Sequence, residues 1–477
     1  MIPFRNLLSL DADSPQAVYV QLANGLIQLI RSGMLRPGTK LPSVREMAGL
    51  LEIHPKTVVA AYEEMVAQDW VYSKPRSGMI VSEELPELKP RTFQQIKKGG
   101  YEGEVAPAEE KRYKYVINDG FPDYRLAPVA QLLRLYRDGF YDGYTEKASM
   151  VIDGAGSPAL RTALAKYVGE TRGIPAGYDN ILITRGAQMA MYIAAALSIK
   201  PGDLVMVGDP GYFTVNRTFE QLGAKLVRIP VDEEGIDVDQ VERVCRRKPK
   251  LLYVIPHHHH PTTVTLSAAR RMKLLSLIRE HRLTVIEDDY DYEFHYQHAP
   301  ILPLASADHG GNVWYAGSIT KNLLPSLRLG YLIAPARTIR DGAAYKRLFD
   351  LRGDLLLENA MAVLYNNGTM QRHIRRSLKL YQERRDLFCD LLGGQLGGAV
   401  SYRVPDGGMA VWTKFNKPFA LPKIAERAAA GGLWMSDGSF YNPPDRDLNG
   451  LRMGFASLDA QEMAGVFRIL RRAMGLD

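Results

Sequence analysis

Cysteine is almost absent from this chain of 477 residues, which contains only Cys245 and Cys389. Two cysteines are too few for a disulfide framework and are typical of a protein in a reducing compartment. Long apolar runs are also absent, because the longest, residues 190–199, is too short to span a bilayer. The amino terminus has acidic residues close behind a short apolar patch and no small-residue cleavage site. We therefore expect no export signal, no membrane segment and a cytoplasmic location.

The composition shows no strong bias. Hydrophobic residues make up 46% and charged residues 24% of the chain, which are ordinary values for globular domains. A formal net charge of +7 permits a polyanionic partner without identifying one. One unusual local feature is a run of four consecutive histidines, residues 257–260. Adjacent histidines do not easily bring three nitrogens to one point, so we expect no metal site there.

The amino-terminal residues predict a small helical unit with a hairpin. Apolar side chains recur at helical spacing over residues 16–30, and Gly and Pro then break the pattern. Ser43 and Glu46 have the spacing of a capping box at the start of a second helix. Pro55 stands at the first position of a third helix. Two short alternating strands follow, joined by the turn at residues 74–78.

The rest of the chain predicts an α/β fold. From residue 83 to residue 112 the sequence is rich in Glu, Lys, Pro and Gly without an apolar period, which is typical of a linker. Beyond it, apolar strand-like runs alternate with helical stretches, as in a mostly parallel sheet covered on both faces. A final α+β section after residue 340 indicates a smaller subdomain. The predicted domains are residues 1–82 and 113–477, joined by the linker 83–112.

Four polar motifs fall at strand ends on one edge of that sheet, the edge where ligands bind in open α/β folds. They are TRGAQMA (184–190), DPGYF (209–213), VIEDDYDYEF (285–294) and SITKNLLPSLRLGY (318–331). The first starts a helix and offers N–H groups to an anion. The last places Lys321 and Arg328 among apolar residues. Such a lysine either snorkels to water or, in a dry cationic pocket, has a lowered pKa and attacks a carbonyl.

The amino-terminal unit resembles the GntR-type winged helix–turn–helix in LRPGTKLPSVREMAGLL, IHPKTVVAAYEEM and SKPRSGMIV. The resemblance implies that the second helix of the motif lies in the major groove of double-stranded operator DNA and that the wing tip reaches a neighbouring groove or the backbone. The DNA-contact residues that it implies are Arg45, Lys56, Thr57, Arg76 and Gly78. Taken singly, each of the cations could equally be a solvated surface charge. Pro55 stands where many relatives carry an arginine.

The region 113–477 resembles fold-type I pyridoxal-phosphate enzymes of the aminotransferase family. The resemblance implies that Lys321 forms an aldimine with pyridoxal 5'-phosphate, that Asp288 pairs with the pyridine nitrogen and that Tyr290 hydrogen-bonds the ring oxygen. Strand alternation leaves the choice between Asp288 and Asp289 open. The remaining implied residues are Tyr212 on the ring face, Ala187, Gln188, Ser318 and Arg328 at the phosphate and Arg452 at the carboxylate of an effector. The loop IPHHHHPTTVT departs from the Gln- or Asn-containing loop of relatives, and we expect one of its histidines, which we take as His259, at the ring oxygen.

Both parts together resemble the MocR subfamily of GntR regulators. This resemblance implies a head-to-tail homodimer and a transcriptional regulator that senses an amine, an amino acid or pyridoxal phosphate through aldimine chemistry at Lys321. The alternative is an active aminotransferase with an appended DNA-binding domain, although we expect no physiological turnover beyond a residual half-reaction. A DNA-binding module without a cofactor is a third class, and the retained Lys321, Asp288 and Arg328 argue against it.

Overall fold

The structure, a computed structural model, describes residues 3–11, 13–86, 113–141, 154–296, 301–442 and 445–476. The chain divides into two units, residues 1–109 and 110–477. From residue 87 onward, the predicted linker lies outside the described residues. Among the helices of the described ranges, none is long and apolar enough to cross a membrane.

The first unit is a helical cluster with a two-stranded antiparallel sheet. Its elements are α1 (Phe4–Leu7), α2 (Val18–Arg31), α3 (Val44–Leu51), α4 (Pro55–Ala67), β1 (Val71–Lys74) and β2 (Gly78–Val81). The predicted capping box is confirmed: Ser43 Oγ accepts from the Glu46 amide, and a Glu46 carboxylate oxygen accepts from the Ser43 amide at 2.8 Å. Pro55 begins α4, as predicted.

The core of this unit forms where the apolar faces of α2 and α4 meet. Leu22 and Leu26 of α2 and Val58 and Met65 of α4 have no exposed area. Burial of these side chains stabilises the unit by roughly 1.5–3 kcal/mol each, measured from an exposed reference. The hairpin β1–β2 leaves residues 75–77 at its tip, because Lys74 pairs with Gly78.

The second unit contains the remaining elements. Its strands are β3 (Tyr115–Val116), β4 (Ile181–Thr184), β5 (Leu204–Asp209), β6 (Lys225–Asp232), β7 (Gly235–Ile236), β8 (Leu251–Val254), β9 (Thr284–Asp289), β10 (Val313–Ser318), β11 (Gly330–Ile333), β12 (Val400–Tyr402), β13 (Ala410–Phe415), β14 (Leu433–Trp434) and β15 (Gly450–Gly454). Its helices are α5 (Val129–Tyr141), α6 (Pro158–Arg172), α7 (Ala187–Ser198), α8 (Phe213–Gln221), α9 (Val238–Cys245), α10 (Ala268–His281), α11 (Ala336–Lys346), α12 (Leu355–Asn366), α13 (Thr369–Leu391), α14 (Leu421–Ala430) and α15 (Ala460–Met474).

Eight strands form the central sheet in the order β4-β11-β10-β9-β8-β5-β6-β7. The pairs β10–β9, β9–β8, β8–β5 and β5–β6 are parallel, whereas β11 runs antiparallel to both of its neighbours. The prediction of a mostly parallel sheet is confirmed. Because β4 and β10 both run opposite to β11, the carboxyl ends of β4, β5, β9 and β10 lie at one edge.

A smaller subdomain follows the central sheet. It contains the three-stranded antiparallel sheet β12-β13-β15 and the pair β14-β3. Its core includes Phe388, Phe455 and Phe467, which have no exposed area. In the three-stranded sheet, Arg452 of β15 lies opposite Trp412 of β13. Because β3 belongs to this subdomain, the chain segment after β3 begins in the smaller subdomain.

Candidate functional site

A cavity of about 350 Å³ lies at the carboxyl edge of the central sheet. Its wall contains predicted cofactor residues from four strand ends and the loops after them. These are Ala187, Gln188, Tyr212, Asp288, Tyr290, Ser318, Lys321 and Arg328. His259 and Arg452 are not among the described residues of this wall, which contains Asp119, Phe121 and His260 in addition. The four motifs named from the sequence therefore contribute to one site.

Lys321 lies in a short 3-10 helix, Thr320–Asn322, that follows β10. Its Nζ donates to the Gly120 carbonyl at 2.8 Å and lies 4.4 Å from the centre of the Phe121 ring. Burial lowers the pKa of this amine to about 8, an effect that the Arg452 guanidinium reinforces. A pKa in this range leaves an appreciable neutral fraction near neutral pH, which a nucleophilic amine requires. The Lys321 amine thus combines contacts to Gly120 and Phe121 with a lowered pKa.

Asp288 is the acidic residue of β9 that reaches the cavity. Its Oδ2 accepts from the Tyr253 hydroxyl at 2.7 Å, whereas its Oδ1 is buried without a partner in the described part of the chain. Burial raises the pKa of this carboxyl to about 7. A buried oxygen without a donor is costly, so the site favours a ligand that presents an N–H group.

Asp289 belongs to a different network. It accepts from the Tyr315 hydroxyl at 2.9 Å and lies 3.2 Å from His257 Nδ1. Burial alone would raise the pKa of Asp289, but His257 and Arg172 hold it below its usual range. The geometry thus separates two acids that strand alternation left equivalent, and Asp288 is the one in the cavity wall.

The start of α7 forms an anion cradle in the same wall. Gly186 has a φ of +82°, and no side chain among the described residues caps α7. Arg328 donates to the Arg185 carbonyl at 3.3 Å, and its Nη2 lies 2.9 Å from the point where a Cβ of Gly186 would be. Free N–H groups beside a guanidinium suit a phosphate. Ser318, which accepts from the Lys321 amide at 3.4 Å, completes this side of the wall.

These observations test whether the residues fit pyridoxal phosphate. The coenzyme has a ring nitrogen, a phosphate and an aldehyde, and the cavity offers the unpartnered Asp288 oxygen, the start of α7 with Arg328, and the Lys321 amine. Tyr212 and Tyr290 add aromatic side chains to the wall. Each of these three groups therefore has a matching protein group, and the residues fit the coenzyme.

The four histidines contact separate partners and do not converge. His257 Nε2 lies 2.5 Å from the Ile301 carbonyl, and the others pair with three different side chains: His258 with Asp291 at 2.7 Å, His259 with Thr262 at 2.9 Å and His260 with Asp119 at 2.9 Å. His259 was expected at the ring oxygen, but its ring turns toward Thr262 and Gly208. The histidine in the cavity wall is His260, 4.8 Å from the Tyr212 ring.

Arg452 lies behind the wall, in contact with residues that line it. Its Nη2 donates to the Tyr290 hydroxyl at 3.1 Å, and its Nε lies 3.4 Å from Asp119 Oδ1. Tyr290 in turn donates to the His258 carbonyl at 2.7 Å. Asp119 and Phe121, in the segment after β3, are residues that sequence reasoning missed. Their sequence, NDGFP, is an ordinary turn composition and gives no signal of a site.

In the first unit, the residues predicted to contact DNA lie at the surface. Lys56 is exposed and Thr57 half-buried in the first turn of α4, where His54 Nδ1 accepts from the Lys56 amide at 3.2 Å. Arg76 is exposed at the tip of the β1–β2 hairpin with a φ of +65°, and Gly78 follows with a φ of +95°. Arg45 is exposed at the start of α3. These positions are open to a nucleic-acid backbone.

Comparison with known proteins finds a matching family for each of the two units. Residues 131–470 match the family "Aminotransferase class I and II", and residues 18–81 match "Bacterial regulatory proteins, gntR family". The chain is 29% identical over 479 residues to the uncharacterized HTH-type transcriptional regulator YdeL of Bacillus subtilis, covering 96% of each chain. It is 28% identical over 489 residues to the probable rhizopine catabolism regulatory protein MocR of Rhizobium meliloti, covering 98% of this chain and 96% of MocR.

A solved structure shows the same fold for the larger unit. The α-aminoadipate aminotransferase LysN of Thermus thermophilus, complexed with N-(5'-phosphopyridoxyl)-L-leucine, is 25% identical with a TM-score of 0.68. The similarity covers 76% of this chain and 92% of that one. The larger unit therefore has the fold of the pyridoxal-phosphate-dependent aminotransferases, and pyridoxal phosphate is the cofactor. The chain belongs to the aminotransferase class I and II family and carries a gntR-family domain ahead of it, the domain combination of the MocR subfamily.

Proposed function

We propose that this chain is a transcriptional regulator that binds operator DNA through its gntR-family domain and senses an amine or amino acid in the pyridoxal-phosphate pocket. The observation that carries the proposal is the intact pocket, with Lys321 and Asp288 in one cavity wall, in the same chain as that domain. Lys321, whose pKa is lowered by burial, and Asp288, which has one buried oxygen without a donor among the described residues, are costly to keep in a domain that binds no ligand.

The pocket residues have separate roles in this proposal. Bound pyridoxal phosphate supplies an aldehyde that reacts with primary amines and a ring that withdraws electrons from them. Lys321 contributes the protein amine at that aldehyde, and Asp288 holds a proton at the ring nitrogen. With the coenzyme bound, Tyr290 would hydrogen-bond the ring oxygen and Tyr212 would pack on the ring face. Ala187, Gln188, Ser318 and Arg328 would hold the phosphate, and Arg452 would receive the carboxylate of an effector.

His260 takes the place in this proposal that sequence reasoning gave to His259. Burial lowers the pKa of His260, so the ring is neutral near neutral pH, although Asp119 opposes the shift. Because Nε2 of a neutral His260 donates to Asp119, its Nδ1 is left to accept a hydrogen bond from a ligand N–H or O–H without adding a positive charge. His259 packs behind the wall, where burial lowers its pKa to about 3.

The proposal includes a head-to-tail homodimer in the cytoplasm, the assembly that the MocR resemblance implies. Two gntR-family domains in one dimer require two half-sites at a fixed helical spacing on the operator. A change in the pocket that alters the relative position of these two domains would change the affinity for the operator. Arg45, Lys56, Thr57, Arg76 and Gly78 are the proposed contacts with that DNA.

A DNA-binding assay on the full chain tests the regulator. Fluorescence anisotropy with fragments from the region upstream of its own gene measures affinity with pyridoxal phosphate alone and with a panel of amines and amino acids added. We expect tight binding to one fragment and a change in Kd with at least one compound, which Lys321→Ala abolishes. DNA binding that no compound and no coenzyme alters would contradict the sensor.

The second candidate function is an active aminotransferase, which the complete set of pocket residues also favours. It is tested by supplying the coenzyme-loaded chain with each amino acid and a keto acid and counting products per site. Sustained turnover over many cycles would support the enzyme. A product yield that stops at about one per site is the result expected of the sensor.

A further inference from the structure

Residues 119–121 contact both Lys321 and Arg452, the two cations at which an amino-acid effector is proposed to bind. The Gly120 carbonyl accepts a hydrogen bond from Lys321 Nζ at 2.8 Å. The carboxylate of the preceding residue, Asp119, lies 3.4 Å from Arg452 Nε. The ring of the following residue, Phe121, covers the Lys321 amine at 4.4 Å. An amino acid bound with its nitrogen at Lys321 and its carboxylate at Arg452 would therefore compete with Gly120 for the amine and with Asp119 for the guanidinium.

Asp119 is firmly anchored in this position. Its Oδ1 accepts from the Tyr441 hydroxyl at 2.9 Å, and its Oδ2 is hydrogen-bonded with His260 Nε2 at 2.9 Å. Asn118 ties the same segment to the smaller subdomain, because its side chain donates to Ser457 Oγ at 2.7 Å and its Oδ1 accepts from the Gly120 amide at 3.0 Å. Displacing the carboxylate therefore breaks several hydrogen bonds at once.

Arg452 remains able to receive a carboxylate if Asp119 moves. The guanidinium is buried, and its Nε and Nη1 have no hydrogen-bond partner among the residues that the structure describes. The cavity wall contains Asp119 but not Arg452, as far as the described residues go. A carboxylate that enters the cavity thus meets the negative charge of Asp119 before it reaches the guanidinium.

We infer that Asp119 is a specificity-determining residue, an internal carboxylate that competes with the carboxylate of an amino acid for Arg452. The pocket therefore accepts primary amines that lack a carboxylate more readily than the corresponding amino acids. An incoming carboxylate is repelled by Asp119 and finds a guanidinium whose charge is already matched, whereas a simple amine meets neither cost. This inference rests on the proposed function, because it concerns the ligand class of the same coenzyme pocket.

The test compares two probes that differ only in a carboxylate, L-alanine and ethylamine. The full chain is loaded with pyridoxal phosphate, and each probe is titrated while the visible absorbance of the bound coenzyme is recorded. The variants are Asp119→Asn, which removes the charge and keeps the size, Asp119→Ala, and the double variant Asp119→Asn with Arg452→Gln. Asp341→Asn, the same change at an exposed position of α11, is the matched control.

We expect wild type and Asp341→Asn to bind ethylamine more tightly than alanine. In Asp119→Asn the affinity ratio of alanine to ethylamine should rise by about tenfold or more, the size of an ordinary coupling between two sites. The double variant should lose this gain, since Arg452 is the group that Asp119 releases. Asp119→Ala should show the same direction of change, which guards against an effect peculiar to the asparagine amide.

An unchanged ratio in both Asp119 variants would overturn the inference, including the case in which alanine produces no response in any protein. A ratio that rises equally in the double variant would also overturn it, because the gain would then not involve Arg452. If wild-type protein does not take up the coenzyme colour at all, the proposed function itself fails. That outcome is separate, because it is recorded before either probe is added.

Discussion

Tyr253 on β8 donates its hydroxyl hydrogen to Asp288 Oδ2 on the neighbouring strand β9 at 2.7 Å, and Asp288 Oδ1 has no partner in the described ranges. One oxygen of this buried carboxylate accepts a hydrogen bond from the protein, and the other is available to a ligand in the cavity. In the protein without coenzyme, burial disfavours the charged form of Asp288 and raises its pKa to about 7.

The Asp288→Asn variant should separate stability from coenzyme binding. The folded-state pKa lies above the ordinary value of 3.8, so the folded protein binds this proton more tightly than the unfolded chain. The contribution of Asp288 to stability is therefore fully present below about pH 4 and is lost as the pH rises to about 7. In the absence of coenzyme, the Tm of the variant minus that of wild type should increase from about pH 4 to about pH 8.

The same Asp288→Asn substitution should weaken the binding of pyridoxal phosphate. An asparagine cannot supply the negative charge that favours a protonated ring nitrogen, so the Kd for pyridoxal phosphate should rise about tenfold or more. Asp308→Asn, at an exposed loop position, is the control and should leave both measurements unchanged. A Tm difference that does not vary with pH would mean that the Asp288 carboxyl is not the group that titrates.

Replacing Lys321 by alanine should abolish the covalent capture of the coenzyme. Borohydride treatment of the loaded wild-type chain should add the coenzyme mass to the peptide that contains Lys321, and the variant should show no such addition. Lys414→Ala removes an exposed lysine of β13 and should behave as wild type. Mass recovered on another peptide of the wild-type protein would show that a different amine reacts, and the assignment of Lys321 would then be wrong.

The fold and part of the site could be predicted from local signals. The apolar runs of β5, β8, β9 and β10 predicted a buried parallel sheet, and Ser43 with Glu46 predicted the start of α3. Motifs at strand ends predicted which segments meet at the cavity, because the carboxyl ends of parallel strands share an edge. Each of these predictions depends on a few consecutive residues.

Other features depend on tertiary contacts that no local pattern contains. β9 is buried along nearly its whole length, so a period of two could not show which of Asp288 and Asp289 reaches the cavity. The choice between His259 and His260 depends on the path of a loop. Asp119 meets Tyr441 across 322 positions of sequence, and only the packing of the smaller subdomain brings them together.

Lys56→Ala should weaken DNA binding without changing its sequence preference. An exposed lysine in the first turn of α4 is suited to a phosphate contact, so its loss should reduce the slope of log Kd against log salt by about 1. The control is Arg31→Ala, which removes an exposed charge at the end of α2. An unaltered salt slope together with unaltered affinity would identify Lys56 as a solvated cation that does not contact DNA.

Gly330→Ala should damage the anion cradle through backbone packing alone. A Cβ at position 330 would lie 2.5 Å from the Gly186 carbonyl carbon and 2.6 Å from the Ala187 nitrogen. These distances are too short for real contacts, so the start of α7 and residue 330 of β11 must move apart, which changes the position of the Ala187 N–H group. Overpacking of this kind costs roughly 1–3 kcal/mol of stability. We also expect weaker binding of pyridoxal phosphate, measured by absorbance, because the displaced N–H groups no longer face the phosphate.

Gly394→Ala is the matched control, because no described atom lies within 4 Å of the Cβ that it would add. The decisive comparison uses inorganic phosphate as a competitor of coenzyme loading. If the cradle binds the phosphate group, phosphate should slow loading of wild type and of Gly394→Ala and should have less effect on Gly330→Ala. If Gly330→Ala loses stability but keeps wild-type affinity for both ligands, the start of α7 is a structural contact between strands and helix, and the phosphate is bound elsewhere in the wall.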